Sequence, residues 1–343
     1  MKNIVKNKLN SILGKITRIV NPIIEELLDF YVDKKTQKIV KYPIFTGGKK
    51  IRSALAAISC QLLGGKIEDV LYPAAGLEIL HNYTLIIDDI IDNSILRRGK
   101  ATAWVKFGRS IAQCVGADYA AATFEAANQS KKPLQVSRLF TKTIKIIVDG
   151  EILDILFEQR GRKDEPYVVK NRYQNIIEND YFEMASLKTA NLFQTCCEIG
   201  GICAGAKEKE LKVLRNYGFN LGIAFQITDD ILDIFGKEKK FGKQIGKDIL
   251  EGKRGNIVIL YAQRELPQKK KKKFLKILRK EKIENKDIKE AVKLISQTHS
   301  RVKAYSLGGK FIKKAKENLN FLPKNKWNNL LEEIADFIIA REE

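Results

Sequence analysis

Apolar residues recur every three or four positions along most of this 343-residue chain, separated by short polar segments. This spacing places apolar side chains on one face of an α-helix, and the alternation typical of half-buried strands is scarce. The pattern therefore predicts an all-α fold. Helices are expected over roughly residues 11–32, 50–63, 67–92, 110–127, 134–159, 168–204, 207–235, 254–264 and 286–320.

The connections between these helices are short and carry glycine or charge, for example at Gly47-Gly48, Gly64-Gly65, Gly99 and Gly161. No long linker rich in proline and serine divides the chain. We therefore expect one large helical domain over residues 1–343.

One short acidic pattern occurs twice, as LIIDDIID at 85–92 and as QITDDILD at 226–233. Each copy has aspartates at positions i, i+1 and i+4, so on a helix the first and last share one face. Like charges at this spacing among apolar residues are unfavourable unless a cation compensates them. The candidate metal ligands are Asp88, Asp89, Asp92, Asp229, Asp230 and Asp233.

Magnesium explains this arrangement because it binds one or two carboxylates, several waters and phosphate oxygens. Two such acidic clusters facing each other would hold one diphosphate, with more than one Mg²⁺ ion per site. A single DDxxD would fit a salt-bridged surface equally well, but its repetition in matching apolar settings favours the metal.

The charge balance supports an anionic ligand, since 62 Lys and Arg residues against 41 Asp and Glu give a net charge of +21. GGKKIR at 47–52 opens a predicted helix, which would place Lys49 and Arg52 on one side near its positive end. Arg97 and Arg98 follow the first acidic cluster and suit bidentate phosphate contacts. No Walker A or dinucleotide-binding pattern is present.

His81 lies eleven residues before Asp92, about three helical turns, so both share one helix face and His81 is a candidate phosphate contact. The other histidine, His299, is not a candidate phosphate contact. With five scattered cysteines and no CxxC pair, a structural zinc site is not expected and the thiols should be buried and inert.

The lysine-rich segment at 268–280 is interpreted as a surface face or loop, with a docking patch for membrane or RNA as the alternative. No stretch reaches 18 uncharged apolar residues, and lysines interrupt the N-terminal segment. We therefore expect a cytoplasmic protein that does not span a membrane and does not bind nucleic acid. A peripheral membrane contact is left open.

The motifs together resemble the trans-isoprenyl diphosphate synthases, the polyprenyl synthetase family, over roughly residues 20–290. The resemblance rests on GGKKIR (47–52), HNYTLIIDDIIDNSILRRGKATAW (81–104), DGEILDI (149–155), YFEMASLKTANLF (181–193) and FQITDDILDIFGKEKKFGKQIGKDILEGKRGN (225–256). It implies a helical bundle of the isoprenoid synthase type with a central cavity, and a homodimer. It also implies head-to-tail condensation of isopentenyl diphosphate with an allylic diphosphate.

The resemblance assigns roles to matching positions. Both aspartate clusters would hold the allylic diphosphate through Mg²⁺, assisted by Arg97, Lys188, Thr189, Gln226 and Lys243. Isopentenyl diphosphate would bind at Lys49, Arg52, His81 and Arg98. The catalytic set it implies is Asp88, Asp89, Asp92, Arg97, Lys188, Asp229 and Lys243. Metal and cationic side chains would stabilise the departing diphosphate, and the released diphosphate would be the final base.

The chain departs mildly from the family pattern, for example at Ser53, where proline is usual. Tyr83 and Thr84 lie five and four positions before Asp88 and are candidate determinants of product length. One aromatic at the fifth position resembles the archaeal type of geranylgeranyl diphosphate synthase. A farnesyl or longer product remains an alternative, as does a floor built by the helix at 110–127.

Two further readings stay open. One is head-to-head coupling or terpene cyclisation on a similar scaffold, although a cyclase needs no pocket for isopentenyl diphosphate. The other is a regulatory subunit of a heteromeric synthase, although such a chain would tolerate losses in its aspartate clusters and both are complete here.

Overall fold

The computed structural model describes residues 2–236 and 246–340, and nearly all of its regular structure is helical, as the sequence pattern predicts. Its α-helices are α1 Lys2–Asp29, α2 Gln37–Lys41, α3 Ile51–Leu62, α4 Leu71–Ile91, α5 Ala103–Phe107, α6 Arg109–Asn128, α7 Pro133–Leu156, α8 Pro166–Asn171, α9 Glu178–Ala185, α10 Asn191–Cys203, α11 Glu208–Phe235, α12 Lys247–Glu251, α13 Ile257–Glu265, α14 Gln268–Leu278, α15 Asn285–Ile295, α16 Ser300–Leu319 and α17 Lys326–Ile339. A π-helical turn, Ser186–Ala190, joins α9 to α10, and a short hairpin pairs β1 Leu96–Arg97 with β2 Lys100–Ala101.

Two predicted helices are wrong in extent because local capping divides them. The helix expected at 168–204 is interrupted after α8, and α9 begins where Asp180 accepts a hydrogen bond from the Ile177 N–H at 2.8 Å. The helix expected at 286–320 is divided between α15 and α16. The hairpin was not predicted, and neither were the short helices α2, α5 and α12 or the helix α17. The lysine-rich segment forms α14, with its apolar side buried and most of its lysines exposed.

The chain divides into two compact units, each assembled from segments distant in sequence. The first unit comprises Met1–Lys145, Leu192–Phe219 and Lys314–Phe337. Within it α4 packs against α6, α1 and α3, and its core combines aliphatic residues such as Val20 and Leu77 with fully buried aromatic residues such as Tyr119 and Phe140. Burial of these faces supplies the main stabilisation of the unit.

The second unit comprises Ile146–Asn191, Asn220–Lys313 and Ile338–Glu343. Its α13 packs against α9 and α15, and α14 packs against α15. Fully buried aromatic residues, among them Phe157, Tyr181 and Phe274, occupy its core. The first acidic cluster belongs to the first unit and the second cluster to the second unit. The expectation of a single domain stays a prediction.

The described cysteines are free thiols, and most are buried as expected. Burial raises the pKa of the Cys60 and Cys197 thiols to about 12, which keeps them protonated and unreactive. The expectation of buried thiols is wrong for Cys114, which is exposed on α6. In the described part of the chain, no helix combines the length and hydropathy that crossing a membrane requires.

Candidate active site

The first acidic cluster lies at the C-terminal end of α4. Asp92 caps the helix, and its N–H donates to the Asp88 carbonyl at 2.8 Å. The carbonyl end of a helix carries partial negative charge, so carboxylates here are in an unfavourable field that a cation relieves. Asp88 and Asp92 are half-buried and Asp89 is buried.

Asp89 differs from its neighbours because Arg97 occupies both of its oxygens. The Arg97 Nε lies 2.9 Å from Oδ1 and 2.9 Å from Oδ2, and Nη2 lies 2.7 Å from Oδ1. Burial lowers the pKa of the Arg97 guanidinium, but the hydrogen bond and charge of Asp89 outweigh it, so the net pKa is raised. The ion pair therefore fixes Arg97 beside the acidic cluster.

The hairpin after α4 separates the two arginines. Arg97 pairs with Lys100 across the strands, and Arg98 and Gly99 form the two-residue turn, both with positive φ. Arg98 donates a hydrogen bond to the Gly47 carbonyl. A Cβ on Gly48 would lie 2.8 Å from the Arg98 Cζ, so glycine there permits the guanidinium to approach the backbone.

These contacts help to form a basic pocket in the first unit with an empty volume of about 270 Å³. Its lining brings together the four positions expected to hold isopentenyl diphosphate, together with Lys50 and Glu78. Those positions are Lys49, Arg52, His81 and Arg98. One detail of the prediction is wrong, because α3 begins at Ile51 and Lys49 precedes the helix. Lys50, in the left-handed conformation, makes the turn between them.

The pocket perturbs the titration of its own basic groups. Burial, and then the charges of Arg52 and Arg98, hold the pKa of His81 well below its usual value, so this imidazole is neutral at physiological pH. Burial also lowers the pKa of Lys50, although Glu78 opposes the shift. A neutral His81 can both donate and accept a hydrogen bond, while the remaining cations attract phosphate.

Ser53, where the family usually has proline, has a structural role. Its backbone N–H donates to Glu78 Oε1 at 3.0 Å, and its hydroxyl lies 3.3 Å from the same oxygen. Proline has no N–H to donate. Since Glu78 is almost fully buried, these hydrogen bonds compensate part of the cost of burying a carboxylate under the basic pocket.

In the second acidic cluster, which lies in the second unit, two of the three aspartates accept hydrogen bonds from other residues. Asp230 is buried and accepts hydrogen bonds from Gln226 Nε2 at 2.8 Å and from the Ile257 N–H at 2.9 Å. Asp233 accepts from the backbone N–H groups of Lys247 and Asp248. Asp229 is half-buried.

Burial, and then the neighbouring Asp248, raise the pKa of Asp230 and of Asp233 well above the usual value. Carboxylates destabilised in this way fit a divalent cation, which would favour their charged form. Across residues 2–236 and 246–340, no group of three or more His, Cys, Asp or Glu side chains is arranged to hold a metal.

Lys188 and Thr189 lie in the π-helical turn Ser186–Ala190 of the second unit. Thr189 and Gln226 share a hydrogen bond of 2.6 Å, while Lys188 forms ion pairs with Glu151 and Asp154. Gly150 permits this packing, because a Cβ there would lie 2.7 Å from the Lys188 Cα. π-Turns inside helices frequently mark functional positions.

Sequence reasoning did not identify the partners of these cations. Glu78, Glu151 and Asp154 were missed, as was Lys253, which lies 3.0 Å from Asp154. The available signal was the DGEILDI segment, in which Glu151 and Asp154 lie three positions apart and therefore on one side of α7. Lys243 lies outside the described residues.

The two candidate length-determining residues have different surroundings. A Cβ on Gly116 of α6 would lie 3.9 Å from the Tyr83 ring and 3.1 Å from Ile87 Cδ1. The Tyr83 ring therefore packs where α6 carries no side chain. The Thr84 hydroxyl donates to its own helix, at the His81 carbonyl 2.8 Å away.

The chain is similar in sequence to known proteins. Residues 33–295 match the family model described as polyprenyl synthetase. The geranylgeranyl diphosphate synthase of Saccharolobus solfataricus is 37% identical over 316 residues, which cover 90% of this chain and 91% of that protein.

Two solved structures extend the similarity to the fold. The geranylgeranyl pyrophosphate synthetase of Pyrococcus horikoshii superimposes with a TM-score of 0.87 at 31% identity, covering 98% of this chain and 99% of that one. A polyprenyl synthase of Caulobacter crescentus, complexed with calcium and isoprenyl diphosphate, also gives a TM-score of 0.87, at 28% identity and 98% coverage of both chains.

Proposed function

We propose, because this chain belongs to the polyprenyl synthetase family, that it is the prenyltransferase that makes geranylgeranyl diphosphate from isopentenyl diphosphate and shorter allylic diphosphates. The observation that carries this proposal is the basic pocket, where Lys49, Arg52, His81 and Arg98 line one cavity. A terpene cyclase has no second diphosphate to place in such a pocket, so the pocket favours chain elongation.

Mg²⁺ is the proposed cofactor, with the half-buried aspartates Asp88, Asp92 and Asp229 as its principal ligands. When bound, it would neutralise the allylic diphosphate and assist its departure. Asp89 and Asp230 have both oxygens in hydrogen bonds to the protein, and a side chain is the donor in each case, so we assign these aspartates to positioning Arg97 and Gln226. Asp233 would accept backbone hydrogen bonds while contributing charge.

The remaining steps follow from the chain's own residues. Arg97 and Lys188 would donate hydrogen bonds to the leaving diphosphate, which stabilises the negative charge that develops as its C–O bond breaks. Isopentenyl diphosphate, held by Lys49, Arg52 and Arg98, would present its double bond to the allylic cation. A proton then leaves the new tertiary cation, and the released diphosphate is the proposed base. Neutral His81 would hydrogen-bond a phosphate oxygen without adding charge.

Product length is proposed to end at twenty carbons because the Tyr83 ring closes the tail pocket. The names of the Saccharolobus solfataricus and Pyrococcus horikoshii relatives support this choice. Thr84 is a suitable control, since its hydroxyl is bound to its own helix. We further propose a homodimer, which equilibrium sedimentation would test.

The test is incubation of the purified protein with labelled isopentenyl diphosphate and, separately, dimethylallyl, geranyl or farnesyl diphosphate, with and without Mg²⁺. We expect metal-dependent geranylgeranyl diphosphate from each primer. Tyr83→Ala should lengthen the products, and Thr84→Ala should leave them unchanged. Farnesyl or much longer products from the unmodified protein would refute the role of Tyr83. No condensation with any primer would refute the synthase and favour a regulatory subunit.

A further inference from the structure

Lys188 is held between two carboxylates of α7. Its Nζ lies 2.5 Å from Glu151 Oε2 and 2.7 Å from Asp154 Oδ2. All three side chains are largely shielded, with 20%, 11% and 8% of the Lys188, Glu151 and Asp154 side chains exposed. The Lys188 ammonium donates a hydrogen bond to Asp154, and Glu151 forms a second ion pair with the same ammonium.

These ion pairs continue as an alternating row of charges. Asp154 also binds Lys253 at 3.0 Å, Lys253 binds Glu251 at 3.1 Å, and Glu251 binds Lys247 at 3.1 Å. The backbone N–H of Lys247 then donates to Asp233 Oδ1 at 3.1 Å. The row therefore runs from Glu151 to the second acidic cluster, and its lysines and carboxylates alternate throughout.

The two carboxylates on Lys188 are not equivalent. Asp154 bridges Lys188 and Lys253, so its loss would weaken the charge compensation of two buried cations. Glu151 lies at the end of the row and is the more exposed of the two. A diphosphate oxygen approaching Lys188 must therefore compete with Glu151 for the same ammonium group.

We propose that Glu151 is a positioning residue that holds Lys188 in its phosphate-binding orientation and at the same time lowers the affinity of Lys188 for diphosphate. The inference rests on the proposed function, in which Lys188 contacts the allylic diphosphate. Partial neutralisation of Lys188 would keep the released diphosphate from remaining on the enzyme. Glu151 thus limits affinity, and Asp154 maintains the fold of the charged row.

The decisive variant is Glu151→Gln, which keeps the size of the side chain and removes its charge. We expect Mg²⁺ with inorganic diphosphate to bind about fivefold to tenfold tighter by calorimetry, because one nearby negative charge is removed. The KM for the allylic substrate should fall by a similar factor, with kcat reduced by slower release. Glu151→Asp, which retains the charge, should behave like the unmodified protein.

Glu165→Gln is the matched control, since Glu165 pairs with Arg162 at 3.1 Å in the same unit and is absent from the row. Its diphosphate affinity should not change. Equal or weaker binding by Glu151→Gln, with the unmodified protein active, would overturn the role of Glu151 alone. If the unmodified protein neither binds diphosphate with Mg²⁺ nor condenses substrates, the proposed function fails as well.

Discussion

The aspartates of the first cluster have different partners, and this difference predicts two kinds of mutant. Asp88→Asn should lower Mg²⁺-dependent condensation by at least about 100-fold, because a charge that acts on the transition state is lost. Its free energy of unfolding should change by no more than about 1 kcal/mol, since the side chain is half-buried.

Asp89→Asn, in contrast, should lower the free energy of unfolding by about 3 kcal/mol, because a buried guanidinium loses its carboxylate partner. Activity assays and denaturant titrations of both variants would show whether only Asp89→Asn loses stability. Equal stability of the two variants would contradict the assigned role of Asp89 in positioning Arg97.

His81 provides a pH-dependent prediction at the same scale. Because its pKa is lower in the folded state than in the unfolded chain, the unfolded state binds the proton first as pH falls. Neutral His81 makes its full contribution to the free energy of unfolding above about pH 6.5, the pKa of an unperturbed histidine. This contribution is lost as the pH falls below that value. The slope of this loss is at most about 1.4 kcal/mol per pH unit.

Substitution of His81 by glutamine should remove this pH-dependent contribution to the free energy of unfolding. Denaturant titrations of both proteins between pH 7 and about pH 5 should therefore show a shallower decline for His81→Gln. Parallel curves would mean that His81 has the same pKa in the folded and unfolded states, which would contradict the lowered pKa.

At the scale of the helix, Gly150 determines how closely α7 approaches the π-turn that carries Lys188. Gly150→Ala places a Cβ 2.7 Å from the Lys188 Cα, which the backbone cannot accommodate without moving. We expect a loss of about 1–3 kcal/mol in the free energy of unfolding, together with weaker diphosphate binding.

Gly14→Ala in α1 is the matched control, because no heavy atom lies within 4 Å of its added Cβ. The free energy of unfolding of this variant should rise by about 0.5–1 kcal/mol. Thermal denaturation and calorimetry of both variants test the comparison, and a stabilised Gly150→Ala would disprove the close approach.

At the scale of the whole molecule, diphosphate and Mg²⁺ should stabilise the protein together. Ligand that binds only the native state at 100 times its dissociation constant adds about 2.7 kcal/mol. Thermal unfolding with Mg²⁺ and inorganic diphosphate should therefore shift upward, and EDTA should abolish the shift. A shift of equal size with diphosphate and EDTA would show that the basic side chains bind without metal.

The sequence by itself determined the helical class, the two acidic clusters and the cationic residues that we propose bind phosphate. These features are local, because apolar periodicity defines a helix and DDxxD places its outer carboxylates on one helix face. GGKKIR and RRG likewise contain the glycines that their turns require. The family resemblance followed from the same short segments.

The tertiary structure decided how those residues are partnered. Arg97 with Asp89, Ser53 with Glu78, and Lys188 with Glu151 and Asp154 are pairs whose members lie eight to 37 residues apart. Apolar spacing specifies which face of a helix is buried but not which side chain of another segment lies against it. The break before α9 and the π-turn also depend on capping and packing rather than on periodicity. The sequence therefore identified the charges of the site, and packing determined which of them are compensated by protein partners.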